Sequence, residues 1–286
     1  MANERVLLFV GAHPDDESFG PGGTLAKYAA EGTTVVYACA TRGEAGSVSP
    51  EHLEGFATVG DKRWAELMCA ARALRLARVV HLGYRDSGMP GSPDNRHPHA
   101  LMAAPLEDVT REVVGAIRSV RPQVVITFDP IGSYQHPDHI VIHQATLRAF
   151  LLAGESDQLL DRGMPFAPQK LYYWVPSRRA LRLMVRALRI WGRDPTRVGR
   201  NRDVDLHGIA NVQFPIHARI RVPRAAVASK RAATECHHSQ AGTTTGQRGW
   251  ASVLSWCVGL TELYMRAYPS PGAPTIEGDL FEGVVA

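Results

Sequence analysis

Two hydrophobic rhythms alternate along the first half of the chain. Residues 6–11, 34–40, 78–83 and 123–128 are short runs rich in Val, Ile or Leu, the pattern of strands covered on both faces. Between them the apolar positions recur at helical spacing. A short helix is predicted over 24–31, a second over 62–76 with Leu67, Ala70, Ala71 and Leu74 inward, and a third over 106–120 with Val109, Val113, Ile117 and Val120 inward. A fourth is predicted over 137–152. This βαβα order predicts an α/β protein with a Rossmann-like, doubly wound, mostly parallel sheet, in which ligands bind at the carboxyl ends of the strands.

The second half is less regular. Strands are predicted over 170–175 and 217–222 and a helix over 224–238, an irregular α+β C-terminal portion. The whole chain, 1–286, then forms one domain: 1–155 is the Rossmann-like core and 156–286 completes the substrate pocket. The Pro/Gly-rich stretches 87–99 and 268–278 are predicted as long surface loops.

One segment has a composition of its own. Between residues 178 and 202 there are nine arginines and one acid, Asp194. Leu181, Met184, Val185, Leu188 and Trp191 make an apolar stripe, and Arg182, Arg186, Arg189 and Arg193 make the opposing face. An amphipathic helix packed on the core or on another subunit is expected, with a lid or an anionic-surface contact as the alternative. A homo-oligomer is compatible with this segment.

Composition narrows the class. At 286 residues and 45% hydrophobic content the chain can bury one large core. No run approaches the roughly 18 consecutive apolar residues of a membrane span. The opening MANER leads into strand-like sequence without a signal-peptide core, so no integral membrane segment and a cytoplasmic location are expected. The net charge of +4 comes mostly from the arginine segment rather than a distributed surface, and nucleic acid is not an expected partner. Cys39, Cys69, Cys236 and Cys257 stand far apart with no CxxC pair, which predicts small core residues and neither a disulfide framework nor a thiolate metal site.

Against this background, AHPDDES at 12–18 is anomalous: a histidine and three acids directly follow an apolar strand, where an unpaired charge costs several kcal/mol. A cation would explain them. His13 and Asp16 offer the imidazole nitrogen and carboxylate oxygen that suit zinc or a similar divalent ion. A third ligand is available in SYQHPDH, where His136 or His139 follows a later strand, and three protein ligands leave one position for water. Asp15, adjacent to Asp16 but pointing elsewhere, can act as general base on that water. The histidine of HPDH that does not ligate can protonate a leaving amine, with Asp138 as the group that orients it. FGPGG fits neither phosphate-loop glycine pattern and reads as a turn into a helix, and no GxSxG elbow is present.

With AHPDDE after the first strand, TRGEAG after the second, RDSGM in the next loop and HPDH after a later strand, the chain resembles the LmbE-like or PIG-L superfamily of zinc-dependent N-acetylglucosaminyl deacetylases, which includes enzymes of mycothiol and bacillithiol biosynthesis. The resemblance spans about residues 5–150 and continues faintly to His237. It implies that His13, Asp16 and His139 hold Zn2+, with iron(II) or another divalent metal as alternatives, and that Asp15 is the base. It makes His136 the acid or electrostatic partner of the leaving group and Tyr134 a stabiliser of the oxyanion. Glu44, Arg63 and Asp86 match positions that contact sugar hydroxyls; Met89 would line the pocket, and His237 would lie near it. The implied activity is hydrolysis of an acetamide on an amino sugar or its conjugate. The alternatives are an amidase for a larger thiol-sugar conjugate and a non-catalytic carbohydrate-binding relative.

Overall fold

The computed structural model describes residues 4–198, 204–240, 260–272 and 276–285. Its strands are β1 (Val6–Gly11), β2 (Thr34–Cys39), β3 (Arg78–His81), β4 (Val124–Phe128), β5 (Lys170–Val175), β6 (Ala218–Arg221) and β7 (Thr261–Tyr268). They form a seven-stranded sheet in the order β3-β2-β1-β4-β5-β7-β6. The pairs from β3 to β5 are parallel, and β7 runs antiparallel to both β5 and β6. The mostly parallel α/β architecture expected from the hydrophobic pattern is therefore present.

Helices cover both faces. The main ones are α2 (Gly22–Ala30), α3 (Val59–Leu74), α4 (Leu106–Val120), α6 (Pro137–Leu152), α7 (Arg178–Ile190) and α9 (Arg224–Cys236); the shorter turns are α1 (Asp16–Phe19), α5 (Gly132–Gln135) and α8 (Leu206–Asn211). Helices α2, α3 and α9 pack together, and α4 packs on α6. On α4 the predicted stripe is the buried one: Val109, Val113 and Ile117 have no exposed surface, each contributing about 1.5–3 kcal/mol by burial. The chain leaves β1 towards β2 on one side and returns through α4 to β4 on the other. The sheet order thus reverses between β1 and β4, where open α/β sheets form their ligand crevice. AHPDDE follows β1 and HPDH follows β4, so both motifs reach that crevice.

Several expectations need correction. Helix α3 begins before residue 62 because the Thr58 hydroxyl accepts the Asp61 amide and caps it. It stops short of residue 76 because Arg75 adopts φ 59°, in the left-handed region. Strand β7 was not foreseen, since its buried position 262 is a glutamate. The amides of Gly23 and Thr24 and the Lys230 ammonium satisfy that carboxylate, which lets a charged residue face inward. On α7, Val185 is buried, but Met184 is 41% and Trp191 49% exposed, so the apolar stripe is only partly covered by the core. Arg200 and Arg202 lie outside the described residues.

The cysteines are the largest correction. Cys69 on α3 and Cys236 at the end of α9 form a disulfide; they stand 167 positions apart in sequence, with Cα atoms 5.8 Å apart. Their partnership comes from helix packing across the molecule, which no local spacing encodes. Cys39 is a buried free thiol, as expected; Cys257 lies outside the described residues. Among the described residues no helix is long and apolar enough to cross a membrane.

Candidate active site

The loop leaving β1 is fastened before it presents its acids. Tyr37 and Thr41 hydroxyls donate to the carbonyls of His13 and Ala12. Asp16 turns back on the same loop, its Oδ2 accepting the amides of Ala12 and His13 at 2.9 and 2.7 Å. With Oδ2 anchored, Oδ1 is held 3.3 Å from His139 Nε2. His139 lies in the first turn of α6, its ring stacked on Phe128 at the end of β4. Its Nε2 is also 3.2 Å from His13 Nδ1, and His13 Nδ1 is 3.8 Å from the Asp16 carboxylate.

Two buried imidazole nitrogens and a carboxylate thus converge. Ligands at zinc bond lengths in a tetrahedron stand about 3.3 Å from one another, close to the separations of His139 Nε2 from His13 Nδ1 and from Asp16 Oδ1. The donor set also fits: neutral nitrogen and carboxylate oxygen are what such an ion takes. The other face of His13 supports this orientation, because Nε2 is 3.0 Å from Asp138 Oδ2 and 3.3 Å from Asp86 Oδ1. A carboxylate behind a ligating histidine fixes its tautomer and strengthens it as a donor. Ligand atoms of His136 also come within 4.8 Å of those of His13 and His139. However, His136 Nδ1 is engaged, accepting the amide of Asp138 as the N-cap of α6.

The local electrostatics follow from this crowding. Burial opposes a charge on His13, yet Asp86, Asp138 and Asp16 raise its pKa well above the ordinary value. Burial likewise works against the Asp16 carboxylate, but His139 and His13 prevail and hold its pKa low. His136 moves the other way: burial and the neighbouring His13 and His139 push it well below the usual imidazole range. Since its Nδ1 accepts a hydrogen bond, the proton of the neutral ring resides on Nε2. Burial also raises the Tyr134 hydroxyl pKa, so that group keeps its proton. The Tyr134 ring sits edge-on to both His139 and His136, with centroids 4.9 and 5.7 Å away.

Asp15 stands apart from Asp16, as adjacent side chains in a tight turn do. Its φ of 124° lies where residues with a Cβ are rarely found, and its side chain is 18% exposed. Burial pushes its pKa up from 3.8 to about 6, against the pull of Arg63. Arg63 itself is buried on α3 and uses its guanidinium locally. It donates to Gly43 O, Pro14 O and Asp15 Oδ2 at 2.9, 2.7 and 3.0 Å, and lies 3.6 Å from Asp86. Gly43 has φ +72°, and a Cβ there would strike this guanidinium, which accounts for the glycine of TRGEAG.

Other residues singled out from the sequence take varied places. Glu44 accepts the Asp86 amide at 3.0 Å, and Asp86 accepts the amide of Gly88. Met89 is half-buried in the following loop. The Asp138 carboxylate bonds His13 and the Ser87 amide, so it orients His13 rather than His136; only its backbone amide serves His136. His237 is fully buried, with Nε2 2.7 Å from Glu17 Oε1. Sequence reasoning missed Glu66, whose carboxylate accepts the amide and hydroxyl of Ser239. The one available signal was that Arg63, Glu66 and Cys69 share a face of α3.

The chain is similar to known proteins. The family model described as PIG-L, GlcNAc-PI de-N-acetylase, matches residues 8–150. A Thermomonospora curvata protein named 1D-myo-inositol 2-acetamido-2-deoxy-alpha-D-glucopyranoside deacetylase is 38% identical over 98% of this chain and 97% of its own length. A Streptomyces avermitilis protein of the same name is 35% identical, with 98% of each covered. Among solved structures, N,N'-diacetylchitobiose deacetylase from Pyrococcus horikoshii aligns with TM-score 0.62 at 19% identity, covering 92% of this chain and 84% of that one. A 4-carboxy-2-hydroxymuconate hydratase from Pseudomonas putida aligns with TM-score 0.60 at 16% identity, covering 94% of this chain and 98% of that one. At those identities the structural likeness establishes the fold and leaves the reaction to the site. By its sequence match over nearly the full length of its relatives, the chain belongs to the PIG-L family of GlcNAc-PI de-N-acetylases.

Proposed function

We propose that this protein is a metal-dependent N-deacetylase that removes the acetyl group from an N-acetylglucosamine-type sugar conjugate, with N-acetylglucosaminyl-inositol as its substrate. The observation that carries this reading is the convergence of His13 Nδ1, Asp16 and His139 Nε2 with the Asp15 carboxylate beside them. His13, Asp16 and His139 would hold Zn2+, for which iron(II) is a substitute; when bound, such an ion polarises the amide carbonyl and makes water nucleophilic near neutral pH.

The remaining chemistry belongs to the side chains. Asp15 accepts the proton of the attacking water and returns it to the departing nitrogen as the C–N bond breaks, and its elevated pKa makes it a stronger base than an ordinary aspartate. Tyr134 keeps its proton and donates a hydrogen bond through it to the developing oxyanion. His136 donates Nε2–H towards the departing nitrogen as a neutral imidazole, the electrostatic rather than the acidic version of its role. Arg63 holds Asp15 in place, while Glu44 and Asp86 brace the wall of the pocket that faces sugar hydroxyls.

The names carried by the full-length relatives favour the inositol conjugate over larger thiol conjugates. A panel of N-acetylated sugars, comprising inositol-linked, malate-linked and chitooligosaccharide forms, tests the choice when free amine is measured alongside metal content. Release is expected chiefly from the inositol-linked sugar. Preferential release from a chitooligosaccharide would overturn the substrate; no release from any member by metal-loaded protein would favour the binding-module reading.

A further inference from the structure

Asp15 needs support that the metal-binding set does not supply. At φ 124° its backbone occupies a region that a residue with a Cβ rarely adopts and that persists only when the surroundings over-determine it. Two side chains hold this residue. The side chain is held by Arg63, and the backbone amide donates to Glu17 Oε2 at 3.0 Å.

Glu17 is a fully buried carboxylate. Its other oxygen, Oε1, accepts Ser18 Oγ and pairs with His237 Nε2 at 2.7 Å, also without exposed surface. Because a carboxylate only accepts, the His237 ring donates from Nε2. His237 thus aims the Glu17 carboxylate, and Glu17 aims the Asp15 amide.

His237 is itself bracketed. One residue before it, Cys236 is tied by a disulfide to Cys69, and two residues after it, Ser239 is bonded through amide and hydroxyl to Glu66. Cys69 and Glu66 lie on the same face of α3 as Arg63. One helix face therefore fixes Asp15 twice: directly through the guanidinium, and remotely through the clamp on either side of His237.

From this geometry we propose that Glu17 and His237 are a positioning pair that holds the Asp15 backbone in its unusual conformation and so aims the base carboxylate. The pair acts through Asp15 and does not touch substrate. This rests on the reading of Asp15 as general base. Loss of the pair misdirects the base without removing the residues that bind sugar or metal, so the cost falls on turnover.

The test compares wild type with H237A and H237Q, the latter able to donate to Glu17 through its side-chain amide. For each, steady-state kinetics on the N-acetylated sugar, metal stoichiometry and hydrogen exchange of the peptide spanning residues 12–20 are measured. H237A is expected to lose about tenfold or more in kcat with KM within about twofold, to keep its metal, and to exchange the Asp15 amide at least about tenfold faster; H237Q should recover most of both. A rise in KM with kcat retained would make His237 a substrate contact and overturn the proposal. So would unchanged Asp15 protection in folded H237A. If wild type hydrolyses none of the sugars, the deacetylase reading fails and the exchange measurement alone decides whether the pair positions Asp15.

Discussion

Asp15 and Asp16 differ by one position and differ in electrostatics because their surroundings differ. Asp16 has two backbone amides on one oxygen and two histidines near its carboxylate, which hold it ionised. For Asp15 burial wins over Arg63 and lifts the pKa to about 6. A general base must be deprotonated, so activity is full above that pKa and lost as pH falls through it. A bound cation adds positive charge and moves this limb only downward. The acid limb of the kcat/KM profile is therefore expected at or below about 6 and should vanish from the residual activity of D15N. An acid limb well above that value, or one unchanged in D15N, would assign it to another group.

At the level of elements, the strands and helices of the first half were legible because their hydrophobic periods are uninterrupted. The HPDH helix, α6, spans Pro137–Leu152, the very limits predicted from its sequence. Strand β7 was hidden because its inward Glu262 is neutralised by Lys230 and two distant amides, partners no window contains. That AHPDDE and HPDH would meet could be read because each lies directly after a strand. The supports of Asp15 could not, since Arg63 reaches it from α3 and His237, through Glu17, from the end of α9, elements far apart in sequence. The disulfide belongs to the same class of tertiary fact. Closing so long a loop, it is expected to stabilise by about 2–5 kcal/mol. C69S should lower the urea midpoint accordingly under non-reducing conditions, and a dithiol reductant should shift wild type similarly while leaving C69S unmoved. Identical unfolding of wild type and C69S without reductant would mean that the bond contributes nothing to the fold.

For the whole molecule, the reversal of strand order between β1 and β4 is what makes a site from two motifs more than a hundred residues apart. It brings His13 Nδ1 and His139 Nε2 to 3.2 Å. The same fold carries a hydratase, so the reaction must be decided at the bench. The most direct measurement is acetate and free-amine release from N-acetylglucosaminyl-inositol by wild type and D15A, each with its metal content determined. Wild type should release the two products in equal amounts, cease on chelation and recover with zinc, whereas metal-loaded D15A should fall by about 10²–10⁴-fold. Equal rates from wild type and metal-loaded D15A, or turnover untouched by complete metal removal, would contradict the account.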